Sequence, residues 1–140
     1  MIVLLCVDNG YGMRFAGRRQ SQDRLLRQQI RTLIGDRPLW MDPDSARLFQ
    51  NDGFPDLRVC PDFLEQAGPE DFCFVEKPPL APWRSAIRAM YLFHWNRAFP
   101  ADELLDLLPW EEGWHCTALE EFPGSSHERI TLQGFVPPEK

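Results

Sequence analysis

The run Ile2-Val3-Leu4-Leu5-Cys6-Val7, with Asp8-Asn9-Gly10-Tyr11-Gly12 behind it and Ser21-Gln22-Asp23-Arg24-Leu25-Leu26 a little further on, decides how this chain is read. An unbroken aliphatic run with no polar alternation is the pattern of a strand buried on both faces of a sheet. The loop after it combines two glycines with turn formers, which permits backbone angles closed to other residues. Ser21 is placed to cap a helix whose first turn holds Asp23. Leu25, Leu26, Gln29, Ile30, Leu33 and Ile34 fall on one stripe of that helix, and Gly35 is a natural stop.

Working outward, Arg37 to Met41 reads as a second core strand, and Asp42 with Pro43 starts a short helix to about Phe49. Asn51 to Pro55 is a turn, Leu57 to Cys60 a strand, Pro61 to Ala67 a helix of two turns, and Phe72 to Val75 another buried strand. Pro78, Pro79 and Pro82 exclude a regular helix from the next segment. Ile87 to Trp95 is a long strand, and Ala101 to Leu107 an acidic helical stretch. Strands Trp114 to Phe122 and His127 to Phe135 close the chain, joined by Pro123-Gly124-Ser125-Ser126. The order β-α-β-α-β-α-β-β-β-β predicts an α/β fold with a largely parallel sheet ending in an antiparallel hairpin. Residues 1–136 form the single expected domain and 137–140 a tail.

With 140 residues, 44% of them apolar, the chain suits one domain, and none of its apolar runs nears the roughly 20 residues of a membrane-spanning helix. The first residues lack the basic start and length of a secretory signal, so they read as a strand opening the mature chain, and a soluble cytoplasmic protein is expected. Cys6, Cys60, Cys73 and Cys116 have no CxxC spacing and are expected to be free and mostly buried; His94, His115 and His127 form no HxH or HExxH pair, so no metal site is expected. Seven arginines between Arg14 and Arg37 face an acidic end of the chain. They could receive an anionic ligand or simply form a solvated helix face, while the net charge of −6 argues against nucleic acid. Ser125, Ser126 and His127 lie together in sequence, but neighbours on a hairpin seldom align as nucleophile and base.

In the order of its elements the chain resembles the dihydrofolate reductase family. The matching pieces are Ile2 to Val7, Gly12-Met13, Asp23 within Gln22-Asp23-Arg24-Leu25-Leu26, Pro38-Leu39-Trp40-Met41, Ala89 to Trp95, Phe99-Pro100, the Trp114 strand and the final hairpin. They cover residues 1–49 and 71–136, and the short span between Phe49 and Phe72 leaves room for one strand fewer than the family usually has. The resemblance implies that Asp23 holds a pterin ring by its amidine-like edge and assists its protonation, with burial raising its pKa. Asp23→Ala is then expected to weaken a pterin-like ligand and spare the fold. Candidate ligand-binding residues are Leu5 and Cys6 on the first strand, Arg18, Arg19, Gln20 and Gln22 in the polar run, Leu26 and Arg27 on the helix, and Trp40, Tyr91 and Phe93 on neighbouring strands.

The resemblance also implies an NADPH site, and here the chain departs from the family. Asp42-Pro43-Asp44-Ser45 stands where Gly-Arg-x-Thr would hold phosphates, and Glu76-Lys77-Pro78-Pro79 stands where a Gly-Gly pair would let the backbone approach the cofactor. The tryptophan that usually follows Gly-Met gives way to the Arg18-Arg19 region, and Phe93 replaces a threonine. The expected function is therefore a pterin-type or anionic small-ligand pocket around Asp23 with a degraded NADPH site. A divergent NADPH-dependent pterin reductase is one alternative. Another is a non-enzymatic interaction module, as a possible homodimer using its five tryptophans, with Trp83 and Trp110 the most exposed.

Overall fold

The computed structural model describes residues 1–139; of the expected tail, Lys140 lies outside the described residues. A seven-stranded sheet runs in the order β5 (Leu57–Val59), β4 (Leu39–Met41), β6 (Phe72–Phe74), β1 (Ile2–Val7), β7 (Ala89–His94), β10 (Ile130–Val136), β9 (His115–Phe122). β1 pairs in parallel with β6 and β7, and β4 with β5 and β6; β10 is antiparallel to both β7 and β9. The architecture is the expected one, a mostly parallel α/β sheet that ends in an antiparallel hairpin.

Because successive strand residues point to opposite faces, the aliphatic run of β1 feeds two cores. Val3, Leu5 and Val7 pack with Leu80, Ile87, Met90 and Leu92. Leu4 faces the other way, toward Leu26, Ile30 and Ile34 of α1 (Arg24–Ile34) and Phe49 of α2 (Pro43–Phe49). Each such side chain stabilises the fold by about 1.5–3 kcal/mol on burial, which is why the stripe on α1 decides where that helix docks.

Several local expectations change. Asp23, not Ser21, is the N-cap of α1: it sits just outside the helix with extended backbone, and its carboxylate accepts the Leu26 amide at 3.0 Å. The glycine loop folds back as a second, three-stranded sheet in the order β3 (Arg18–Arg19), β2 (Gly12–Phe15), β8 (Glu103–Leu104). Positive φ falls at Tyr11, Ala16 and Gly17. Gly12 is required for space instead, since a Cβ there would lie 2.5 Å from that of Ala101.

The expected helix at Ala101–Leu107 does not form. Leu105 and Leu107 are both buried, and a spacing of two residues reaches one face only in extended chain. The backbone there bonds to the second sheet, Asp102 N to Arg14 O at 3.1 Å and Leu105 N to Tyr11 O at 2.9 Å. β10 begins at Ile130 rather than His127, because the preceding residues serve a loop that grips α1. The proline-rich segment forms a 3₁₀ helix at Ala81–Ala86, and α3 is only Phe63–Gln66.

All four cysteines are free, but only Cys73 is fully buried, its thiol pushed up to about 12 by burial; Cys6 and Cys60 are half-buried and Cys116 is exposed on β9. Trp110 is exposed, its ring 4.9 Å from that of Tyr11, whereas Trp83 is half-buried against the core around Leu80. Among the described residues no helix is long and apolar enough to cross a membrane, and no cluster of three or more metal-ligating side chains forms.

Candidate functional site

The end of β1, the start of α1, α2 and the residues just past β6 enclose a cleft. Its apolar lining includes Cys6, Met13, Leu26, Leu48, Phe49, Phe74, Val75 and Trp95; its polar lining is Arg19, Gln20, Ser21, Gln22, Asp23, Arg27 and Glu76. The cleft has a free volume of about 20 Å³, room for little more than one water molecule. Side chains nearly close it.

The group that closes it is a partly buried ion pair. Two residues beyond β6, Glu76 accepts from Arg19 through both carboxylate oxygens, Nε to Oε2 and Nη2 to Oε1, each at 2.9 Å. The Ser45 hydroxyl, in the first turn of α2, donates to the same Oε1 at 2.6 Å. Ser45 is there because Asp42 caps α2 and takes its amide at 2.8 Å. Arg19 also reaches Asp44, with 3.4 Å between Nη2 and Oδ2. This is the planar-fork geometry for which guanidinium and carboxylate are matched.

Asp8, read in the sequence only as a turn former, organises the loop above the cleft. Its buried carboxylate accepts the Gly12 amide at 2.7 Å, the Gly10 amide at 2.9 Å and Nε2 of Gln20 at 2.9 Å. Gln20 is held by this bond, while its Oε1 is buried with no partner among the described residues.

Asp23 lies beside the cleft in a different state from the one expected. Its Oδ1 accepts the amides of Leu26 at 3.0 Å and Ser125 at 3.1 Å; its Oδ2 accepts the Ser126 amide at 2.8 Å and the Ser126 hydroxyl at 3.0 Å. Burial alone would raise its pKa, as the sequence suggested. The backbone amides of Ser126, Ser125 and Leu26 and the Ser126 hydroxyl outweigh burial and lower the pKa to about 2. The carboxylate is thus an ionised clasp between α1 and the 123–129 loop. Its acceptor sites are already taken within the protein.

The same loop brings His127 against Ser21, with 2.6 Å between Nε2 and Oγ, and stacks its ring 4.5 Å from that of Trp95. Nδ1 of His127 has no partner among the described residues, so no carboxylate orients the ring as a nucleophile-activating base requires. Burial lowers its pKa, against the pull of Asp23 and with the push of Arg97.

Of the candidates from sequence, Cys6, Arg19, Gln20, Gln22, Asp23, Leu26 and Arg27 gather at the cleft. The others do not line it. Leu5 faces the opposite core because it is one residue from Cys6 on a strand. Trp40 also packs toward that opposite core, its indole N–H donating to Asp71 at 2.9 Å. Arg18 is exposed on the hairpin, Phe93 is fully buried with its ring 6.3 Å from that of Phe122, and Tyr91 packs on Gly134. Three of the seven arginines of the run are paired with carboxylates, Arg14 with Glu103, Arg19 with Glu76 and Arg27 with Asp52 at 2.7 Å. Sequence reasoning missed Ser45 and Asp8, and it saw Glu76 only as an obstacle to a cofactor. A lone carboxylate directly after the buried Phe72 to Val75 run was the available signal.

A seven-stranded, mostly parallel sheet flanked by helices and ending in an antiparallel hairpin defines a dihydrofolate reductase-like α/β fold. A dihydrofolate reductase from Enterococcus faecalis, solved with NADP(H) and RAB-propyl, is similar over 99% of this chain and 97% of its own, with a TM-score of 0.68 and 10% sequence identity. At that identity the likeness is one of fold. No protein-family model and no curated protein matches the sequence.

Proposed function

We propose that this chain binds a small, flat, pterin-type ligand in the cleft beside Asp23 and does not work as a standard NADPH-dependent reductase. The observation that carries this reading is the placement of Glu76. Where a reductase of this fold needs bare backbone to meet the nicotinamide, this chain puts a carboxylate bonded to Arg19 and Ser45. The acids Asp42 and Asp44 at the start of α2 add negative charge where a polyphosphate would have to lie. The cleft itself keeps the makings of a ring site, with Leu26, Phe49, Phe74 and Trp95 as apolar walls and polar groups at one end. An anionic ligand is less well supported, because Arg19 and Arg27 already have carboxylate partners.

Purified protein mixed with NADPH and dihydrofolate tests the reading. No loss of NADPH absorbance is expected, and NADPH should leave the melting temperature unchanged while a pterin-type compound raises it. Steady NADPH oxidation would restore the reductase; no thermal response to any flat heteroaromatic compound would remove the ligand.

A further inference from the structure

We propose that Glu76 is the ligand-recognising carboxylate of the cleft, that its ligand is a planar cation with a fork of N–H donors on an aromatic body, and that Arg19 fills this place until the ligand displaces it. The inference rests on the reading of the cleft as a ligand site and specifies its chemistry.

The geometry already holds a worked example of the bound state. Arg19 presents two N–H groups in one plane to both oxygens of Glu76, at 2.9 Å each, and an aryl amidinium offers the same pair. The side chain of Glu76 is only 9% exposed, and Ser45 fixes its orientation from behind. A neutral ligand that pushed Arg19 aside would leave a buried carboxylate without a counter-charge, an arrangement that is strongly destabilising. A cation with the matching fork removes that penalty.

Arg19 has somewhere to go. Its Nη2 is already 3.3 Å from the Asp44 carbonyl oxygen and 3.4 Å from Oδ2 of the same residue, whose side chain is exposed. Leaving Glu76 therefore exchanges one carboxylate for another nearer solvent. The segment that carries it is short: β3 has two residues and pairs with β2 only through Arg19 with Arg14 and Arg18 with Phe15. With about 20 Å³ free for a water centre, no ring enters until a side chain leaves, and Arg19 is the one that both blocks the carboxylate and has an alternative partner.

Benzamidine and its neutral isostere benzamide, titrated into the full chain and followed by the change in tryptophan fluorescence, to which Trp95 in the cleft wall contributes, test this. Arg19→Ala should bind benzamidine at least ~10-fold more tightly than the unaltered chain does, and more tightly than it binds benzamide. Adding Glu76→Gln should erase that preference. Equal binding of the two compounds by Arg19→Ala would overturn the inference and leave the cleft as a ligand site; binding of neither would overturn both. If Arg19→Ala fails to fold, Arg19→Lys decides. It keeps the charge, loses the fork, and should show the same preference by a smaller factor, and a lysine variant that is unfolded or indifferent to benzamidine overturns the proposal.

Discussion

At the scale of the residue, the fate of Asp23 shows how neighbours set the role of a carboxylate. Burial alone pushes such a group toward the neutral acid, but three amides and a hydroxyl aimed at the same two oxygens favour the anion more strongly. Asp23→Ala therefore removes a helix cap and strands the Ser125 and Ser126 amides. A loss of about 3 kcal/mol is expected, read as a lower urea midpoint with unchanged slope, in place of the spared fold that the sequence suggested. The pH dependence follows in sign. Because the Asp23 pKa is held at about 2 in the fold, its contribution is complete above about pH 4 and is lost as pH falls toward 2, about 2 kcal/mol in all. His127 is also lowered, so its contribution is complete above about pH 6.5 and declines below it as the unfolded chain takes up a proton that the buried ring does not. Urea midpoints measured against pH should fall in two windows, and His127→Gln should shrink the upper one to the part contributed by His94, whose pKa burial also lowers, while leaving the lower one unchanged.

At the scale of the element, α1 is held by two different devices. Its apolar stripe docks on the sheet, and its N-terminus is clasped by the 123–129 loop. Gly124 makes the clasp possible, since a Cβ there would lie 2.5 Å from Asp23 Oδ2 and 2.7 Å from the His127 carbonyl oxygen. The second of these is backbone and cannot swing away. Gly124→Ala is expected to cost about 1–3 kcal/mol and to speed hydrogen exchange at the Ser125 and Ser126 amides more than in α2, as two-dimensional NMR would show. The stripe on α1, the Asp42-Pro43 start of α2 and the continuous run of β1 were legible because each is a local pattern. The stretch 101–107 was not. Its leucines and acids suit a helix in isolation, and only the presence of the 11–14 backbone alongside makes the extended form better.

At the scale of the whole molecule, β1 lies between two parallel neighbours, with Val3, Leu4, Leu5 and Val7 all fully buried. The three-stranded sheet at its end has short strands and an exposed tip at Phe15. Hydrogen exchange on the intact protein should therefore be slowest in β1 and fastest in β2 and β3, by several orders of magnitude. The inverse order would mean that the second sheet is part of the stable core. That contrast places the displaceable Arg19 on the least anchored part of the molecule, while Glu76 follows β6, which is paired on both sides with β1 and β4.

The sequence by itself determined the α/β class, the central strand, the helix that docks on it, the closing hairpin and about half of the cleft residues, because unbroken or periodic apolar runs, caps and prolines act over a few neighbouring positions. Only the tertiary structure decided that Asp23 is a saturated clasp, that Leu5 and Trp40 face away from the cleft, and that Arg19 and Glu76 meet. Those outcomes depend on groups separated by 57 to 103 positions in the chain, such as Arg19 with Glu76 and Asp23 with Ser126, and on which face each strand turns inward. No local pattern encodes a meeting of that range, since it exists only once the two cores have packed.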